Sequence, residues 1–96
     1  MKAVYLASAA NERKAEEVLK KDDLVSRGSI TVRLASSLDM KEEGYFIVLD
    51  ASEEALKRAE ELLKGLAARY KNAGEVLKRL QEQEESAIVG FGNIMG

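Results

Sequence analysis

The chain alternates between two periods. Residues 2–7, Lys-Ala-Val-Tyr-Leu-Ala, form a short apolar run that reads as a first strand. Asn11 then offers a helix N-cap, with Glu12 in the first turn and Ala15, Val18 and Leu19 on one helical stripe. Glu16 with Lys20 and Glu17 with Lys21 are i,i+4 pairs in the favourable order. Ser26-Arg27-Gly28 breaks that helix. The pattern then switches to period two. Ile30, Val32 and Leu34 face one way and Thr31 and Arg33 the other, which describes a half-buried antiparallel strand over 29–34. Residues 44–49, Gly-Tyr-Phe-Ile-Val-Leu, are apolar on both faces and predict a central strand.

A second helix starts near Asp50-Ala51-Ser52-Glu53, with Asp50 or Ser52 as its cap. Leu56, Ala59, Leu62, Leu63, Leu66 and Tyr70 continue one apolar stripe. A helix from Glu53 to Lys71 would be about 28 Å long at 1.5 Å per residue. Asn72-Ala73-Gly74 breaks it, and Val76, Leu77 and Leu80 begin a third helical pattern. The predicted order is β-α-β-β-α-α: a single α+β domain over 1–96, with a three-stranded, mainly antiparallel sheet carrying helices on one face, a truncated ferredoxin-like layout. The alternative makes Ala87 to Phe91 a fourth strand.

Composition narrows the chemistry. The chain has 96 residues and no Cys, His, Pro or Trp. Disulfides, Cys/His metal sites and Cys or Ser–His nucleophiles are thereby excluded. Net charge is −2, and residues 1–49 hold eight positive and eight negative side chains, so no half of the chain is a basic module. No apolar run reaches the roughly 18–20 residues of a membrane span, and the N-terminal run reads as a strand rather than a leader; the expectation is a cytoplasmic protein. Abundant Glu, Lys and Arg without Cys fit a thermophile, while the absence of Pro does not.

Several groupings offer sites. The paired carboxylates along the helices read as solvated faces. Asp39, Glu42 and Glu43 do not have the spacing of a calcium loop, and Gly90-Phe91-Gly92 does not join a strand to a helix as a phosphate loop does; no metal or cofactor is expected. The strongest anomaly is the terminal segment 86–96. Ile88, Val89, Phe91, Ile94 and Met95 follow the wholly polar run Gln81-Glu82-Gln83-Glu84-Glu85, with glycines at 90 and 92. This segment either folds back on its own domain or docks on another chain as an apolar anchor. The expectation is a non-catalytic interaction or scaffolding subunit, a homo-oligomer or part of a larger assembly. The alternative is an RNA- or small-ligand-binding module that uses the sheet face with Arg33, Lys41 and Tyr45.

Residues 12–19 as first helix, 29–34 and 44–49 as hairpin, and Ala55-Leu56-Lys57-Arg58-Ala59 opening the next helix resemble, over residues 2–70, the small dimerising (Pcc-type) subunit of the KEOPS complex and its archaeal paralogue. That complex installs the threonylcarbamoyl group on tRNA adenosine. The resemblance implies a non-enzymatic chain that pairs through its sheet and helices and holds catalytic subunits in place.

Overall fold

The architecture was taken from a computed structural model, which describes residues 1–83. Strands β1 (Lys2–Ala7), β2 (Ser29–Leu34) and β3 (Tyr45–Asp50) lie where the alternation places them, and β3 is internal to the sheet. Helix α1 (Glu12–Lys21) and the single turn α2 (Asp23–Ser26) link β1 to β2. A 3₁₀ turn (Ala35–Leu38) follows β2, and helix α3 (Glu53–Leu62) follows β3.

Beyond α3 the observed path differs from the expected one. The helix does not continue to Lys71. The Leu63 carbonyl accepts from the Leu66 and Ala67 amides, and Gly65 takes φ +78°. This closes the helix C-terminus with a left-handed residue, which glycine adopts without penalty. The chain then forms a fourth strand, β4 (Ala67–Arg69), antiparallel to β1. Among the described residues the sheet is therefore four-stranded and antiparallel, in the order β2-β3-β1-β4. The fourth strand of the described residues is 67–69; the alternative strand over Ala87 to Phe91 lies outside the described residues.

The helices also lie on both faces of the sheet rather than one. On the first face Ala3, Tyr5, Ala7, Ile47 and Leu49 pack with Ala15, Leu19, Val25, Ala59 and Leu63. On the second, Val4, Phe46 and Val48 pack with Ala35 and Leu38 of the 3₁₀ turn and with Val76 and Leu80. The last two belong to a helix over 73–83, here α4. Because β1 and β3 are apolar on both faces, a single helical layer would leave Val4, Phe46 and Val48 in water; α4 covers them.

Helix starts also sort themselves. Asn11 makes no side-chain cap; the first amides of α1 reach the Ser8 carbonyl instead. Of the two candidates for α3, Ser52 is the cap, its hydroxyl accepting from the Ala55 amide at 3.2 Å, while Asp50 ends β3.

Candidate interaction surface

The terminal residues Ile88, Val89, Phe91, Ile94 and Met95 lie outside the described residues. Arg33, Lys41 and Tyr45 are described, and they do not form one surface. Arg33 pairs with Phe46 on the α4 face, whereas Tyr45 pairs with Leu34 on the other face. Lys41 is in the exposed link between β2 and β3. The sheet face expected to bind RNA is covered by α4, and Phe46 and Tyr5 are buried, on opposite faces. Asp39, Glu42 and Glu43 do not converge either. Glu42 accepts from the Tyr70 hydroxyl, and among the described residues no cluster of three acidic side chains could hold a metal ion.

Among the described residues, strand β2 is the feature that stands open. It is an outer strand of six residues, and none of them is fully buried. Its backbone polarity follows from one bond: the Ala35 amide donates to the Gly44 carbonyl. Antiparallel ladders alternate, so the odd positions 29–35 turn their amides and carbonyls toward β3. Ile30, Val32 and Leu34 therefore turn theirs to the free edge. Their side chains lie on the first face, where Ile30 and Val32 are half-buried at the margin of the core and Leu34 is 44% exposed.

Protein edges are normally blunted by brevity, proline, bulges or charge. The opposite edge, β4, is three residues long. β2 has no proline, and its register with β3 runs unbroken from Ser29–Asp50 to Leu34–Tyr45. Its one charge, Arg33, donates to the Val32 carbonyl oxygen at 3.0 Å. A single side chain thus occupies one of the outward acceptors.

A cleft of about 400 Å³ opens on the α4 face at the Ser29 end of this strand. Ser29, Asp50 and Lys2 form a row across β2, β3 and β1, because the register sets Asp50 opposite both of the others. Thr31 and Val48 make the floor, and Leu77, Leu80 and Gln81 of α4 the wall. The chain's terminal ammonium lies 3.6 Å from Asp50.

Elsewhere the charges are structural. Asp22 accepts from the Leu24 and Val25 amides at 3.0 and 3.1 Å, capping α2, and pairs with Arg58 of α3 at 2.8 Å. The Arg58 hydrogen bond, with the amides, holds the Asp22 carboxyl below its usual range. Arg79 of α4 pairs with Glu75 at 2.8 Å and donates to the Leu38 carbonyl at 3.1 Å, pinning α4 to the turn after β2. The Gln83 amide donates to the Ser37 carbonyl in the same place.

The open edge was missed in the sequence because a half-buried strand reads the same whether inner or outer. The one available signal was that Ser29 to Leu34 carries a single charge and no breaker. No protein-family model, curated protein or solved structure matches this chain. Among the described residues no helix is long and apolar enough to cross a membrane.

Proposed function

We propose that the chain is a ferredoxin-like interaction subunit that carries no chemistry of its own and pairs with a second copy through β2. The observation that carries this reading is the edge that the described residues leave unguarded: Ile30, Val32 and Leu34 offer outward backbone groups and an apolar strip on one strand. An antiparallel pairing centred on Val32 sets Val32 against Val32 and Ile30 against Leu34. All three outward positions then meet outward positions of the other copy, so the ladder continues. It also keeps Arg33 opposite Thr31 and away from the second Arg33. The resemblance to the small dimerising KEOPS subunit supports the same reading, and a tRNA-modification complex is the larger assembly it suggests.

Amide hydrogen exchange tests this. Raising the protein concentration should slow exchange at Ile30, Val32 and Leu34 while leaving β4, the short edge, unchanged. Exchange at those three amides that is independent of concentration contradicts the pairing.

A further inference from the structure

We infer that pairing through β2 builds a binding site for a small organic phosphate, in which Arg33 of one copy reaches over the cleft of the other and faces its Lys2. The inference rests on the β2 pairing proposed above. Arg33 and the cleft lie on one side of the sheet: Thr31 stands opposite Val48 and Arg33 opposite Phe46, and both partners belong to the second core. With Val32 against Val32, Arg33 of one copy stands opposite Thr31 of the other, and Thr31 is part of the cleft floor. The outward backbone groups belong to the even positions, so Thr31 and Arg33 form a non-hydrogen-bonded pair, whose side chains sit close together on one face. The placement survives a two-residue slip. With Thr31 against Thr31, Arg33 stands opposite Ser29, which also lines the cleft. The slip in the other direction sets Arg33 against Arg33 and is opposed by like charge.

Pairing also frees the Arg33 side chain. In the single chain it donates to the Val32 carbonyl oxygen. In the pair that carbonyl accepts from the ladder, so the guanidinium needs another acceptor. The one carboxylate of the cleft, Asp50, already faces the terminal ammonium at 3.6 Å. Lys2 stands opposite Asp50 in the register and makes no ion pair among the described residues. Lys2, the terminal ammonium and the incoming Arg33 thus outweigh Asp50 by two positive charges. A phosphate monoester carries about −1.5 to −2 at pH 7 and matches that excess. Arg holds such a group through two parallel N–H donors, and Lys acts as a point charge. Three strand spacings of about 4.8 Å separate Arg33 from the strand of Lys2, a gap that two long side chains close around one phosphate. The Ser29 and Thr31 hydroxyls line the same floor as further donors. Val48, Leu77 and Leu80 offer the organic part an apolar surface. A cleft of about 400 Å³ also suits a small molecule better than a bare ion, since ligand pockets start near about 300 Å³.

Equilibrium dialysis of the full chain against phenyl phosphate, at constant ionic strength, tests this. The parent should bind the probe in each cleft of the pair. Lys2→Gln and Arg33→Ala should each weaken binding by about tenfold or more, the loss of a charged hydrogen bond. Each cleft takes Lys2 from one chain and Arg33 from the other. An equal mixture of the two variants, allowed to exchange, therefore regains one intact cleft in every mixed pair, roughly a quarter of the parent's capacity. That recovery also shows that both variants fold. A mixture that recovers nothing overturns the inference, because a site built within one chain cannot be restored by mixing. Light scattering on the same samples separates the two ideas. A two-chain mass with no phenyl phosphate bound overturns the site and leaves the β2 pairing standing. A single-chain mass throughout overturns both.

Discussion

The Phe46 and Tyr70 rings meet edge to face, with centroids 4.8 Å apart and planes at 70°. Phe46 is fully buried in β3, and Tyr70 is the first residue after β4. The contact therefore ties the last strand to the second core, under α4. Replacing Phe46 by Ala is expected to cost about 3–5 kcal/mol, as for other buried aromatic truncations. Phe46→Leu should keep most of the burial and forfeit mainly the ring pair, about 0.5–1.5 kcal/mol. Urea denaturation of both variants measures the difference; a Phe46→Leu variant as stable as the parent would show that the ring pair contributes nothing.

Two glycines with positive φ make a graded pair. Gly44, at φ +111°, lies where a Cβ would run into the Ala7 carbonyl oxygen. Gly65, at φ +78°, has nothing within 4 Å of that position. Gly65→Ala should therefore cost only the left-handed penalty of about 1–2 kcal/mol. Gly44→Ala should exceed the roughly 1–3 kcal/mol of a disfavoured backbone region, because the strand pair must also move. Denaturation midpoints that rank the two the other way would contradict the placement of β1 beside β3.

The Asp22–Arg58 pair predicts an acid transition. Asp22 titrates lower in the folded chain than in the unfolded one, first through Arg58 and then through the α2 amides. The folded state thus binds this proton less readily. The stability it confers is full above the ordinary Asp value, about 3.9, and disappears as pH falls through the lower folded value. Asp22→Asn should lower the melting temperature at pH 7, and the gap to the parent should close toward pH 2. A gap independent of pH would mean that the charge contributes nothing.

The strand edge itself yields another expectation. Arg33 occupies the outward Val32 carbonyl that the paired form needs. Arg33→Ala removes that competitor. The dissociation constant should fall by roughly threefold to tenfold, in line with a net hydrogen-bond worth of about 0.5–1.5 kcal/mol. Sedimentation velocity over a dilution series reads this directly, and weaker association in the variant would count against the proposed register.

Much of this fold was legible in the residues. The strict alternation from Ser29 to Leu34 and the dense run from Tyr45 placed two strands and the inner position of β3. The failure came after Leu63. Leu62, Leu63, Leu66 and Tyr70 fit one helical stripe, yet Leu63 and Tyr70 end up on opposite faces of the sheet. Gly65 was the available signal. Ala67-Ala68-Arg69 has little intrinsic strand preference, and the unpaired edge of β1 decides its conformation. The second helical layer was missed for a related reason: the two apolar faces of β1 and β3 called for two covers, and the sequence reading supplied one. The open edge depends on strand order, a tertiary property that no local pattern encodes.

The most direct measurement is the solution mass of the full chain and its Val32→Lys variant, by light scattering over a wide concentration range. The account predicts that the parent reaches the mass of two chains. It predicts that the variant, with a charge at the centre of the pairing edge, stays at one while keeping its helical and sheet circular dichroism. A parent that remains a single chain at the highest concentration, or a variant that associates as well as the parent, would contradict it.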